Sequence, residues 1–573
     1  MSRRDSEKSS IIDETGAERH FIHAQLDYVG EKGGNEADET IQTTAGAPVE
    51  VRNPLGYNVG FWTTLLINVS HLVGTGIFST PSNILTQTGS VGLSLIFWVI
   101  GFLINLTGIS VYLELASYYP SRSGSEVVYL EQAYPHPKYL FPVAFAVNGV
   151  LLTFSSSNAI VCGQYVFRVA NVSASAWAQK GVAIAAMTLV CATIIVSTKW
   201  SLRIINAAGV LKLATLIFMT ITGFVVLSGK THIPNPKANF QDSFKGTNKD
   251  AYSLSNGLVS VLFAYGGYAN SFNLVNEVKD PIRTIKKTSN AALISVAVLY
   301  LLVNVAYLTA VPAADIKKSS QTTAALFFKN VFGTKAGQAL SIIPALSALG
   351  NMLASVTANS RMIREIGRQG LLPFPRFWVS TRPFGSPLGP LLIIWLMTVL
   401  MISAPPAGQA FNFLVALKSY PDSFFLALMT FGLFLIRRQR QRANLPRTQY
   451  RSWSWVAIVF FLAKIFLLVM PWVPPKGTLK STSFGFFYAT SSLTGLGIIG
   501  LCGLYYLLWT KILPRLGGYQ IRQTVIQLSD GALSSYMLKV PNADVEEWDR
   551  KHDPSGRSID SGSEPVTRTV NLV

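Results

Sequence analysis

Along the chain, apolar runs of roughly 20 residues, each long enough to cross about 30 Å of hydrocarbon, recur between residues 60 and 510, separated by short stretches of Gly, Pro and charge. With those stretches as boundaries, the pattern predicts twelve spans, starting near residues 60, 91, 140, 181, 204, 253, 287, 337, 388, 409, 453 and 485. The expected fold class is an all-α polytopic membrane protein. Residues 1–57 stay polar, with no apolar leader segment. Over residues 1 to 50, five Lys/Arg against eleven Asp/Glu predict a disordered acidic tail. Residues 515–573 are again polar and rich in Ser and Asp, so the spans occupy 58–514 between two tails.

Composition narrows the class. The chain is 49% hydrophobic and 13% charged, where a soluble protein carries about 25% charged residues, so an ordinary soluble enzyme is excluded. The net charge of +19 sits in short loops rather than on one basic face, so no nucleic-acid partner is expected. An even number of spans puts both termini on one side. If that side is cytoplasmic, the inner loops hold nineteen Lys/Arg and the outer loops twelve, and the most basic loops, from Lys279, Arg361 and Arg437, fall inside. Cytoplasmic termini follow from the positive-inside rule. Cys162, Cys191 and Cys502 all lie within apolar runs, with neither a disulfide framework nor metal-ligand spacing, and no cofactor or metal is expected.

Two spans are interrupted. The first reads NVSHLVGTGIFSTP, with Gly74 and Gly76 flanking Thr75, and the sixth reads LFAYGGYANSFNLVNEVKDP, with Gly266 and Gly267 paired. A lone glycine in a membrane helix can simply mark close packing. Interruptions five spans apart point instead to two five-span halves forming an inverted repeat, with a substrate site between two broken helices, 1 and 6. Free N–H groups at one helix break hold a carboxylate and free carbonyls at another hold an ammonium. A zwitterionic amino acid fits both.

At these residues the chain resembles a known family. The segments VGTGIFSTPSNIL, GSVGLSLIFWVIG and YLELASYYPSRSGSEVVY, then FAYGGY from Phe263, NEVKDPIRTIKK from Asn276 and ANSRMIREIGRQGLLP from Ala358, are similar to those of the L-type amino acid transporters in the amino acid, polyamine and organocation superfamily. The resemblance covers roughly residues 58 to 512 and is nearest to the fungal methionine permeases. It implies a five-plus-five inverted repeat with two extra helices, and alternating access around a site lined by spans 1, 3, 6, 8 and 10. Carried over by motif, Thr75 and Gly76 would offer N–H to the substrate carboxylate and Gly74 would let the chain open. The carbonyls of Leu72, Phe263 and Gly266 would receive the ammonium. Phe263 would be an aromatic gate; read from the residue alone it is equally a core aromatic. After the glycines the pattern departs: Tyr268 and Ala269 stand where relatives have Trp and a polar residue, and Ala269 leaves room for an unbranched side chain such as that of methionine.

Charges inside the spans need reasons. Lys212 lies near the middle of span 5, where an ionised lysine costs at least about 2.5 kcal/mol. The resemblance implies that its ammonium fills the place of sodium in sodium-coupled relatives and ties span 5 to the carbonyls of span 1. His71, one turn before the first break, either hydrogen-bonds or carries a coupled proton. Lys418 precedes the Ser419-Tyr420-Pro421 break and is expected to face a cavity, while Lys464 has no assigned role. Glu114, Arg122, Glu126, Glu277 and Asp280 read either as gate ion pairs or as solvated charges.

The expected activity is import of neutral L-amino acids, most simply methionine, by proton symport at the plasma membrane. The alternatives are a broad neutral amino acid exchanger and a non-transporting sensor of the same fold. No repeated filter or ring of charge suggests a channel, and no H-E-x-x-H, G-x-S-x-G or G-x-x-x-x-G-K-[ST] suggests an enzyme. Animal relatives join a heavy subunit through a cysteine after span 3; residues 171–180 contain none, so no disulfide-linked partner is expected. Asn171-Val172-Ser173 is a glycosylation sequon. Lys8 and Lys32, in the first tail, would be reachable by the ubiquitin machinery that acts on fungal permeases of this type, or are simply solvated.

Overall fold

In the computed structural model the described residues are Lys32, 59–319, 322–404, 410–475, 487–527 and 533–552. Among them ten helices are long and apolar enough to cross a membrane: Phe61–Ser79 (span 1), Val91–Tyr118 (span 2), Leu140–Ala170 (span 3), Ala176–Val196 (span 4), Thr198–Leu227 (span 5), Pro281–Ala310 (span 7), Ile342–Arg368 (span 8), Phe411–Arg442 (span 10), Ser454–Trp472 (span 11) and Thr490–Gly517 (span 12). The shorter apolar helices Ala251–Ala264 and Leu388–Ser403 supply spans 6 and 9. Twelve spans result, as the pattern predicts.

Local chemistry sets several starts. Ser175 and Ser197 accept the N–H of Ala178 and Trp200, capping spans 4 and 5, and Pro281 opens span 7 at the first helical position, where its missing N–H costs nothing. Leu103, Leu189, Ile221 and Leu501 remain exposed on the outside of the bundle, as hydrocarbon contact allows. Many polar side chains lie buried inside it, Asn68, Lys212 and Asn351 among them.

Both expected breaks are present. Span 1 stops at Leu72 and resumes at Gly76. Span 6 stops at Ala264, unwinds, and ends in a 3-10 turn over Asn270–Glu277. Span 3 is interrupted too, between Leu140–Leu151 and Ser156–Ala170. Span 10 carries Pro421 inside its helix, which leaves the Leu417 carbonyl without its usual donor. With each span crossing once, every even-numbered span ends on the face where span 1 begins, called here the tail face.

The second tail is not merely polar. Strands β1 (Tyr519–Gln527) and β2 (Leu533–Pro541) pair antiparallel, Tyr519 opposite Pro541, and a short helix Val545–Lys551 follows. Arg522 holds Asp549 through both guanidinium arms, at 2.7 and 2.8 Å. The hairpin docks on the tail-face end of span 8: Arg368 Nε donates to the Leu533 carbonyl at 2.9 Å, and Ser534 Oγ donates back to the Arg368 carbonyl at 3.3 Å.

Candidate functional site

The two breaks lie against each other because glycine permits it. A methyl group on Gly76 would stand 2.5 Å from the Ala264 Cα at the end of the span 6 helix. Gly267 has φ +101°, and a Cβ there would meet the His71 ring at 2.5 Å. Between the breaks lies a cavity of about 320 Å³, whose walls include Thr75, Phe263, Gly266, Tyr268 and Asn351.

Unwinding span 1 leaves backbone groups that need partners in a dry interior. Side chains of spans 5, 7 and 8 supply most of them. Lys212, 2% exposed, donates through Nζ to the Ser70 carbonyl and, at 3.3 Å, to Ser70 Oγ. Asn351 donates to the His71 carbonyl, Ser347 to the Val73 carbonyl at 3.1 Å, and Tyr300 to the Leu72 carbonyl at 2.7 Å. A side-chain relay runs from Thr75 Oγ1 to Asn158 Oδ1 at 2.8 Å and from Asn158 Nδ2 to Asn351 Oδ1 at 2.9 Å. It joins the broken parts of spans 1 and 3 to span 8.

What remains unpaired is specific. The N–H groups of Thr75 and Gly76 have no acceptor among the described residues, and the Gly266 carbonyl has no donor. The Phe263 carbonyl accepts the Gly266 N–H, at 2.9 Å, and the Tyr265 N–H is turned toward it as well. The Leu72 carbonyl differs from the expectation placed on it: it already accepts from Tyr300 and from the Gly74 N–H at 3.0 Å, so both lone pairs are taken. Phe263 packs edge-on against Phe411, centroids 5.6 Å apart, away from the tail face. Tyr268 packs against Tyr112 at 5.9 Å on the opposite wall. His71 lines the cavity, and its Nδ1 is buried without a hydrogen-bond partner among the described residues.

Toward the tail face the cavity gives way to buried ion pairs. Arg437 grips Glu114 with Nε at 2.8 Å and Nη2 at 2.6 Å. Arg361 meets Glu277 at 3.0 Å. Arg122 bridges Glu131 at 3.0 Å and Glu365 at 3.1 Å, and Arg368 joins Glu365 at 2.6 Å. Solvated charges are therefore the wrong reading for Glu114, Arg122 and Glu277. Glu126, expected beside Arg122, instead accepts the Tyr112 hydroxyl and lines the cavity. Burial pushes the Glu131 carboxyl up to about 7, against the pull of Arg122.

Lys32 also departs from expectation. It is 2% exposed, and its ammonium donates to the carbonyls of Asn276 and Val278 at the end of the span 6 segment; a lysine so held is not reachable by a modifying enzyme in this conformation. Lys8 lies outside the described residues. Sequence reading missed Asn158, Asn351, Tyr300 and Ser347. Only the polar run Thr153 to Asn158 inside an apolar span hinted at the span 3 break.

A mid-bundle cavity between two unwound helices, offering free N–H groups to one side and a free carbonyl to the other, defines a multi-pass membrane carrier rather than an enzyme. The profile of the amino acid permease family matches residues 59–501, and the chain belongs to that family. It is similar to the high-affinity methionine permease of Saccharomyces cerevisiae, 32% identical over 84% of each chain. The low-affinity methionine permease of the same yeast is 28% identical over 85% of this chain and 89% of its own. The human cystine/glutamate transporter is 26% identical over 78% of this chain and 85% of its own.

Proposed function

We propose that the protein imports neutral L-amino acids, methionine first among them, by proton symport with alternating access at the plasma membrane, with both termini in the cytoplasm. The observation that carries this reading is the set of unpaired groups at the two breaks: N–H of Thr75 and Gly76 for a carboxylate, and the carbonyl oxygen of Gly266 for an ammonium. A zwitterion satisfies both, and Phe263 with Phe411 closes over it. Methionine is favoured by the names of the two yeast relatives and by the small Ala269 in the cavity wall.

Membrane potential alone cannot concentrate a zwitterion. One cotransported proton gains about 2.3 kcal/mol per 100 mV, enough for more than a tenfold gradient. In this reading Lys212 stands in for sodium, and His71 is the proton carrier that the sequence offers. The carrier acts without a disulfide-linked subunit, since Cys162, Cys191 and Cys502 are all buried; comigration with a partner on a non-reducing gel would count against that.

The test is uptake of radiolabelled methionine into proteoliposomes holding no amino acid, under an imposed pH gradient and potential, with sodium absent. Accumulation abolished by a protonophore is the expected result. Uptake confined to vesicles preloaded with amino acid would replace symport with exchange, and binding without uptake in either arrangement would make the protein a sensor.

A further inference from the structure

The cavity holds charges that the substrate site does not use. Lys418 and Asp422 stand one turn apart on span 10, on the same face, and both line the cavity; Lys464 of span 11 lines it as well. The buried carboxylates at the tail face, Glu114, Glu131, Glu277 and Glu365, are each fastened to an arginine at 3.1 Å or less. The cavity trio is not. Lys464 is only 6% exposed, yet its ammonium makes no hydrogen bond among the described residues and rests 5.0 Å from the Phe460 ring centroid. Lys418 sits 6.0 Å from that of Phe154. Asp422 likewise has no hydrogen-bond donor among the described residues.

We propose that Asp422 is the group that carries the coupled proton, with Lys418 and Lys464 on the same cavity wall lending positive charge to its ionised form. This rests on the symport reading above and replaces His71 in it.

The surroundings of Asp422 support the choice. From its own helix it faces Lys418, and from span 11 Lys464. Glu126, on the segment between spans 2 and 3, faces it too, with Tyr112 of span 2 donating to Glu126. Tyr268, two residues past Gly266, faces both carboxylates. His71 in turn stands near Lys212 and Lys418. A proton on His71 would make a third positive charge beside those two ammoniums. On Asp422 it neutralises a negative one and relieves the crowding of two carboxylates in one cavity. Pro421, which removes a backbone bond beside Asp422, lets span 10 flex there.

The step is a plain protonation. With the cavity open away from the tail face, a water-borne proton adds to an Asp422 carboxylate oxygen, forming one O–H bond. After the cavity reopens at the tail face, water takes the same proton and the carboxylate is again ionised. Tyr268 couples this to substrate, because a zwitterion on the Gly266 carbonyl and the carboxylates on the far wall press on the same segment.

The test uses the full chain in proteoliposomes. Asp422→Asn should still exchange external radiolabelled methionine for internal methionine but lose accumulation driven by a pH gradient, at least tenfold. Lys464→Gln should move the half-maximal pH of accumulation upward by about 1 unit or more, since removing a nearby ammonium makes the carboxylate easier to protonate. Gradient-driven accumulation by Asp422→Asn at the wild-type level overturns the proposal and leaves symport standing. If Asp422→Asn fails to fold, an unmoved pH midpoint in Lys464→Gln overturns it instead. Absence of gradient-driven accumulation in the wild type removes symport and this proposal together.

Discussion

Replacing Lys212 with Met separates its two roles. The substitution keeps the length of the buried stem and removes the ammonium that donates to Ser70. Stability gains and losses oppose each other: an ionised lysine inside a span costs at least about 2.5 kcal/mol, while the hydrogen bond from that charged donor to the Ser70 carbonyl returns about 1.5–3 kcal/mol. Asn351, 3.4 Å from the Ser70 carbonyl, remains to satisfy it in part. The thermal midpoint of the purified protein should therefore move by no more than about 4 °C, the shift that 1 kcal/mol produces in a large domain. Transport is another matter, because the tether to span 5 holds the unwound segment in place only while it exists. Losing about 1.5–3 kcal/mol from that arrangement lowers its population by about tenfold or more. Methionine accumulation into proteoliposomes should fall by that factor. Wild-type accumulation by Lys212→Met would refute the reasoning, and so would a collapse of the thermal midpoint, which would make Lys212 a folding residue alone.

Gly76→Ala should abolish uptake while the protein still reaches the membrane, because the added methyl meets the Ala264 backbone; substrate binding by thermal shift would check it. Glu131, raised by burial to about 7, binds its proton more tightly folded than unfolded. Its contribution is therefore present at low pH and lost as pH rises from about 4.5 to about 7. The thermal midpoint should fall across that window, and Glu131→Gln should flatten the fall. Arg368→Ala should release the hairpin from span 8, read as faster amide exchange over 519–527 and 533–541. Equal exchange rates would mean that the contacts at Leu533 and Ser534 do not hold it.

Much of this was legible in the residues. Twelve apolar runs gave twelve spans because the lipid interior imposes one length and one composition on each. The breaks at Gly74 to Gly76 and at Gly266–Gly267 were legible because glycine inside an apolar helix is costly without a reason. The break in span 3 was hidden, since Thr153 and Ser155 are tolerated in membrane helices and no glycine marks the place. Pairing was hidden for a different reason. Arg122 is near Glu126 in sequence but bonds Glu131 and, 243 residues away, Glu365. Only the packed bundle sets that distance. The hairpin did have a signal, Asp530-Gly531 between two runs rich in Ile, Val and Leu, which the polar composition of the tail obscured.

The two ends of the cavity are shut by fastenings of unlike strength. Away from the tail face, two phenylalanine rings touch, and parting them requires sliding apolar surfaces. At the tail face, Arg437 with Glu114, Arg361 with Glu277, and Arg122 and Arg368 with Glu365 must come apart inside the protein, and each leaves charge unpaired until water arrives. A cycle with such unequal latches has a preferred resting posture. In the proposed alternating cycle the end away from the tail face parts more easily, and opening at the tail face is the slow step that limits turnover.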